Sequence, residues 1–206
     1  MPRTVDHGQR RAHICDALVR TAARDGLHAV TMRSVATEAG VSLRLVQYYF
    51  ETKGGLMHAA LLHLEERSRR RWNERLAALP SPTPVRAHVH AFAAEAIPDD
   101  EESRVFHLLW TSFAVLAMTD PALAEQPFVS GPERLERQLT DLLEQARTEG
   151  ALPPDRDPAL EAARLLAVTH GLGTDVLTGR LTPDRALAVA EYHLDRVFGA
   201  RSATDV

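Results

Sequence analysis

One cysteine, Cys15, stands in the 206 residues. No intramolecular disulfide can form, and a redox switch would have no second thiol to resolve it. Cys15 falls within an apolar helical pattern, which reads as a buried structural thiol. No apolar run reaches the length of a membrane span, and the N-terminus has no apolar signal core. The expectation is a soluble, cytoplasmic protein with no membrane partner. The motifs of common catalysts and nucleotide binders are missing too: no G-x-S-x-G, no H-E-x-x-H, no Walker loop and no G-x-G-x-x-G. Gly171-Leu172-Gly173 lies inside an apolar helical stretch and follows no strand, so close helix–helix approach explains it better than a phosphate loop. The ten histidines are scattered. His88 and His90, two apart, point to different helix faces, and neither a metal site nor another cofactor is indicated. Alternating β patterns and hairpin turns are also lacking. What remains is an all-α chain, long enough to bury a substantial core without staples.

The net charge of −4 argues, taken alone, against nucleic acid. Its distribution argues the other way. Residues 1–75 hold 13 Arg/Lys against 8 Asp/Glu, a net of +5, and residues 76–206 hold 11 against 20, a net of −9. A basic first third on an acidic remainder fits a DNA-binding head on a soluble body. Within that third, Thr31 to Lys53 reads as two short helices joined by a tight turn. Val35, Ala36 and Ala39 share one face of the first. Gly40 ends it in a left-handed conformation, and Ser42 caps the second, Leu43 to Tyr49. Val46 and Phe50 point at the core; Arg44, Gln47 and Tyr48 lie on the other side, with Leu43 exposed. This is helix-turn-helix spacing, in which the second helix enters the major groove. An ordinary helical hairpin with a solvated polar face would give the same pattern.

Ahead of this stretch, Ile14, Leu18 and Ala22 with Cys15 and Val19 predict a bracing helix over about 8–24, stopped by Gly26. Arg3, Arg10 and Arg11 either lie along a DNA backbone or reach into the minor groove, as basic arms do, or are solvated charge on a tail. Thr52 caps a fourth helix that ends near Pro80. Gly54 and Gly55 in its first turn fit backbone close to a phosphate, or a hinge. Beyond it a capping residue followed by Pro recurs, at Thr83-Pro84, Asp120-Pro121, Asp157-Pro158 and Thr182-Pro183, with Gly131-Pro132 as a weaker copy. These signals predict helices at about 83–96, 101–118, 121–126, 132–148, 158–179 and 183–198, nine or ten in all. The helix at 101–118 opens on an acidic run, Asp99 to Glu102, that suits the positive end of its dipole. It carries Phe106, Trp110 and Phe113 with His107 and Thr111 as polar groups, a composition that fits either a ligand pocket or plain core. In the last two helices Leu166, His170, Leu177, Leu187, Tyr192 and Leu194 belong to more apolar area than one body covers, which predicts a two-fold interface.

Gly26-Leu27, Thr31, Arg33, Val35-Ala36, Ala39-Gly40-Val41-Ser42, Val46, Tyr48-Tyr49-Phe50, Lys53 and Leu56 together resemble the N-terminal domain of the tetracycline-repressor (TetR) family of bacterial regulators. The remainder is similar, in length and helical character, to the choline-responsive, BetI-like C-terminal subgroup. Gln47 stands where many members carry Tyr, and Leu43 and Leu45 replace small or polar residues. The resemblance implies a three-helix DNA-binding domain over 1–53 and an effector-binding and dimerisation bundle over 54–206. It implies base contacts from Arg33, Leu43, Arg44 and Gln47, and phosphate contacts from Thr31, Ser42, Tyr48, Tyr49 and Lys53. It also implies an effector cavity, with Phe106, His107, Trp110, Thr111 and Phe113 as candidates, and a four-helix dimer interface. The partners would be a palindromic double-stranded operator, a second copy of the chain and a small effector that is at least partly apolar. The function implied is a repressor released by its effector. A DNA-binding activator or architectural protein without a ligand is the alternative. A helical-bundle enzyme is a third reading, for which no convergent acid/base pair is visible.

Overall fold

The computed structural model describes residues 7–79, 81–118 and 130–199. Among them are nine α-helices, one short 3-10 helix and no strand. The helices are α1 (His7–Asp25), α2 (Met32–Glu38), α3 (Leu43–Phe50), α4 (Lys53–Ala77), α5 (Val85–Glu95), α6 (Glu101–Ala117), α7 (Ser130–Thr148), α8 (Pro158–Leu177) and α9 (Pro183–Val197); the 3-10 turn is Leu27–Ala29. The helix expected at 121–126 lies outside the described residues, as do Arg3 and Pro80. By packing, the chain forms two units: Met1–Arg67 with Asp100–Leu123, and Ser68–Asp99 with Ala124–Val206. Helix α4 gives its first four turns to one and the rest to the other.

In the first unit α1 packs on α2, on the 3-10 turn and on α6, and α2 packs on α3. The stripe read from the sequence is the one buried: Ile14, Cys15, Leu18, Val19 and Ala22 from α1, joined by Val30, Val35, Val46, Phe50 and Leu56. Each large side chain so buried contributes roughly 1.5–3 kcal/mol of transfer free energy. Cys15 is part of that core, and burial pushes its thiol up to about 12, with nearby Arg11 opposing. It is therefore a protonated, unreactive thiol at neutral pH. One polar cluster ties three helices of this unit. Asp16 of α1 accepts from His63 at 2.8 Å and from Arg67 at 3.0 Å, both on α4. Arg67 also pairs with Glu102 of α6. Asp100 and Ser103 cap α6 reciprocally, through Ser103 N–H to Asp100 Oδ1 at 2.7 Å and Asp100 N–H to Ser103 Oγ at 3.1 Å.

In the second unit α7 packs most extensively on α8, α8 on α9, and α5 on both α7 and α9. Val89, Phe92, Leu139, Leu143, Leu165, Val176 and Leu194 share one core there. The cap-then-proline device works at two of its expected positions. Asp157 Oδ1 accepts from Ala159 and Leu160 N–H at 2.9 and 3.1 Å, and Thr182 Oγ1 from Arg185 N–H at 3.2 Å, each ahead of a proline that opens the helix. It fails at Thr83-Pro84. There α5 starts at Val85, and Pro84, which has no side-chain acceptor to offer, is itself the cap residue. Helix α7 begins at Ser130, two residues ahead of the expected start. Pro132 is tolerated in its first turn because that N–H has no intrahelical acceptor in any case.

Candidate nucleic-acid interface

The turn between α2 and α3 is built by local chemistry. Gly40 sits at φ 64°. Its N–H reaches the Thr37 carbonyl at 3.1 Å, and the Val41 N–H reaches Ala36 at 3.0 Å. That pair of bonds closes a helix through a left-handed residue, for which glycine carries no Cβ penalty. Ser42 then accepts from Leu45 N–H at 3.2 Å and starts α3. Val46 and Phe50 anchor α3 inward. Arg44, Gln47 and Tyr48, at i, i+3 and i+4, face solvent, Tyr48 at 72% exposure. Leu43, expected to be exposed, is half-buried, as is Leu45.

Two groups of cations in this unit contrast. Arg11, Arg20, Arg24 and Arg67 are engaged inside the protein: Arg20 and Arg24 hold Glu38 at 2.8 and 2.9 Å, and hydrogen bonds from Arg20 and then Arg24 keep that carboxyl below its usual range. Arg33 of α2, Arg44 of α3 and Lys53 at the start of α4 are exposed and make no ion pair among the described residues. An exposed cation without an intramolecular partner keeps its full capacity for a phosphate or a base edge.

The hydroxyls expected on phosphates have other engagements. Thr31 Oγ1 accepts from Ser34 N–H at 3.0 Å and donates to Ser34 Oγ at 3.1 Å, while Ser34 Oγ accepts from Thr31 N–H at 2.9 Å. Thr31 and Ser42 are thus helix caps, still exposed. Tyr49 is half-buried, and its hydroxyl shares a hydrogen bond of 2.9 Å with His7 Nδ1. Arg11 donates from Nη1 to the Tyr49 carbonyl at 2.7 Å, and its guanidinium lies 4.8 Å from the Phe50 ring centre. Neither the Tyr49 hydroxyl's partner nor that of Arg11 was foreseeable from residue spacing. The joint to α4 is tight as well. Glu51 has φ 60° and ψ −56°, and the Thr52 N–H turns back to the Phe50 carbonyl at 2.6 Å. This positive-φ γ-turn is strained for a residue with a Cβ. Thr52 Oγ1 caps α4 by accepting from Gly55 N–H at 3.0 Å. A Cβ at Gly55 would come within 2.4 Å of the Phe50 carbonyl oxygen, so close backbone approach within the protein accounts for that glycine.

Of the α6 candidates, Phe106, His107, Trp110 and Thr111 are half-buried; the side chain of Phe113 lies outside the described residues. The rings of Phe106 and His107 meet edge-on with centres 5.7 Å apart. Among the described side chains of α6, the buried apolar positions are instead Val105 and Leu109. A second cluster, not foreseen, joins α4 and α5 in the second unit. Glu95 accepts from Ser68 Oγ and from Arg71 Nε at 2.9 Å each, with Arg75 Nε at 3.3 Å. Beside it the rings of Trp72 and Phe92 meet with centres 6.0 Å apart, and the buried Trp72 indole N–H has no acceptor among the described residues.

The interface candidates divide. Leu166 and Leu194 are interior, at 5% and 0% exposure, so they hold the subunit together rather than face a partner; periodicity alone does not say which apolar stripe turns inward. His170, Leu177 and Leu187 are half-buried, and Tyr192 is 59% exposed. Leu160, Ala167, Gly171 and Thr174 complete an exposed row on α8, Leu160 at 70%. A Cβ on Gly171 would meet nothing within 4 Å, so no close approach inside the subunit explains it. Next to this row an open groove of about 650 Å³ is lined by Arg156, Arg164, Val168, Tyr192, His193 and Arg196, among others. Buried Glu161 lies 2.5 Å from Arg164 and 3.4 Å from Arg156. Arg156 Nε and His193 Nε2 are buried without a partner among the described residues. Burial lowers the imidazole pKa of His170; burial and then Arg164 lower that of His193.

Residues 14–60 match the family model described as bacterial regulatory proteins, tetR family, and residues 84–199 match that of the BetI-type transcriptional repressor, C-terminal. The chain belongs to the TetR family. It is 31% identical to the HTH-type transcriptional regulator BetI of Burkholderia thailandensis over 209 residues, covering 98% of this chain and all of that one. It is 25% identical to the regulator PksA of Bacillus subtilis over 199 residues, 96% of this chain and 94% of that one. In fold it is similar to a putative TetR-family regulator from Rhodococcus sp., with a TM-score of 0.77 at 24% identity over 93% of this chain and all of that one. It is also similar to a putative regulator from Saccharomonospora viridis solved in complex with choline, with a TM-score of 0.76 at 21% identity over 91% and 96%. Members of the TetR family are DNA-binding transcriptional regulators rather than enzymes, and so is this chain. No helix among the described residues is long and apolar enough to cross a membrane.

Proposed function

We propose that the chain is a cytoplasmic, homodimeric repressor that leaves a palindromic operator when a small effector binds. The observation that carries the reading is the outward face of the helix-turn-helix. Arg33, Arg44 and Lys53 have no ion-pair partner among the described residues, and Gln47 and Tyr48 stand beside them on a short, capped helix. Arg33, Arg44 and Gln47 would read base edges, with Leu43 against a thymine methyl. Tyr48 and Lys53 would hold phosphates, Lys53 at a helix start where charge and dipole act together. Thr31, Ser42 and Tyr49 would act mainly by fixing α2 and α3. Residues 1–53 would do the reading, and 54–206 would bind the effector and dimerise.

The exposed row of α8 with Tyr192 of α9 supports dimerisation, since a two-fold partner would bury Leu160 and Tyr192 against small residues. The same partner would supply acceptors for Arg156 Nε and His193 Nε2, which are costly to leave buried and unpaired. Phe106, His107, Trp110 and Thr111 are the proposed effector-facing groups of α6. Because a structural neighbour was solved with choline, a small quaternary amine is the first effector to test, and aromatic side chains suit such a cation. The test is a gel shift with duplexes from the region upstream of the chain's own coding sequence. At low salt, where phosphate contacts are strongest, a shift is expected, and choline should reverse it. No shift on any duplex would end the DNA-binding reading. A shift indifferent to choline would point to another effector class.

A further inference from the structure

We propose that Arg11 and His7 are positioning residues for the recognition helix, acting on operator affinity from the protein side rather than by touching DNA. The inference rests on α3 being the helix that reads DNA. Basic residues near the start of such a chain are natural candidates for backbone contacts, but the geometry turns Arg11 the other way. Its Nη1 donates to the carbonyl of Tyr49 at 2.7 Å, one residue from the end of α3. The same guanidinium lies over the Phe50 ring at 4.8 Å. Carbonyls in the last turn of a helix lack intrahelical donors and carry the negative end of its dipole. A cation there both satisfies a carbonyl and offsets the dipole.

Two neighbouring carbonyls have backbone donors: Gln47 accepts from Glu51 N–H at 2.9 Å, and Phe50 accepts from Thr52 N–H at 2.6 Å. Arg11 therefore supplies a donor for Tyr49 that the turn after α3 does not. His7, one turn earlier on α1, takes the Tyr49 hydroxyl at 2.9 Å, with the two rings edge-on at 5.9 Å. Backbone and side chain of one residue are thus held from a helix about forty positions away in sequence. Val46 and Phe50 fix the depth of α3, and Ser42 fixes its start. Arg11 and His7 fix the end from which Arg44, Gln47 and Tyr48 are aimed. A reading helix only about two turns long has few other means of resisting rotation about its axis.

The test separates aiming from direct phosphate binding by salt dependence. Removing a side chain that neutralises one phosphate lowers the slope of log affinity on log salt by about one. Operator binding would be followed by fluorescence anisotropy over a salt series, in the full-length protein. Arg11→Met is expected to lower affinity roughly tenfold, the size usual for deleting a charged hydrogen bond, with the slope unchanged. His7→Ala is expected to weaken binding roughly threefold, also at constant slope. Hydrogen exchange of the amides around Glu51 and Thr52 should quicken in Arg11→Met. If that variant does not fold, Arg11→Gln carries the test, since it removes the charge and the planar stack while leaving an amide donor. A slope reduced by about two per dimer, one for each subunit, in either Arg11 variant would make Arg11 a phosphate ligand and overturn the proposal, as would unchanged affinity. Wild-type protein that binds no duplex would overturn the reading of α3 itself, and is told apart by that control.

Discussion

Helices α3 and α9 are both amphipathic, and they are held in opposite ways. Helix α9 has fifteen residues and buries Ala186, Ala190, Leu194 and Val197 in a continuous core. Its position is set by area. Helix α3 has eight residues and buries only Val46 and Phe50. Its position is set by its ends: Gly40 and Ser42 in front, Arg11 and the Glu51 turn behind. If α3 is the helix that reads DNA, as proposed, it must leave most of its surface free and cannot be fixed by burying that surface, so directional bonds at its termini take over. The exposed face of α8 is a third case, with apolar side chains left uncovered and, beside it, Arg156 Nε and His193 Nε2 buried without partners among the described residues.

Substitutions can test this contrast. Phe50→Ala removes the larger of two anchors and should cost about 3–5 kcal/mol, enough to take most of the stability of the helix-turn-helix. Operator binding should vanish while sedimentation still reports a dimer; loss of both would mean that the two regions do not fail separately. Leu194→Ala should cost about 2–5 kcal/mol in urea unfolding and leave operator affinity per folded molecule intact. Arg44→Ala should weaken the preferred operator by about 1–3 kcal/mol and change the base preference at one position. Lys53→Ala should weaken all duplexes alike and reduce the salt slope by about one per subunit, about two for the dimer. Ser42→Ala should lower thermal stability by about 1 kcal/mol through removal of the cap. The smallest effect concerns pH. His170 and His193 have pKa values held below the ordinary 6.5, so their contribution is complete above 6.5 and is lost as pH falls from there through the lowered values, where the unfolded chain takes up protons first. Melting temperature should fall on acidification across that window, and less steeply in a His170→Asn, His193→Asn double variant.

The features legible in the sequence are mostly those that neighbours in sequence decide. Gly40, Ser42, Thr52, Asp157 and Thr182 do what their types and spacing imply, because a cap acts on the next three residues. Thr83-Pro84 misleads because a Thr-Pro pair marks only an allowed start, and the helix begins one residue later with Pro84 in the cap position. An outward place for Leu166 and Leu194 fails because two amphipathic helices carry more than one apolar stripe, and only packing against α5 and α7 decides which goes in. The bonds of His7 and Arg11 to Tyr49 span 42 and 38 residues and leave no periodic trace. The same is true of Glu95, whose three partners on α4 become legible only once α4 and α5 lie side by side.

Arg67 bears on how a signal would be shared. One guanidinium holds Asp16, on the helix that braces the reading head, and Glu102, at the start of the helix that carries Phe106, His107 and Trp110. If binding at α6 alters that arrangement and so weakens the operator complex by some factor, thermodynamic linkage requires the operator to weaken effector binding by the same factor. The protein sitting on DNA would then be a poorer sensor than the protein free in solution. The effector concentration that triggers release would depend on how many operators are occupied, as well as on the chemistry of the pocket.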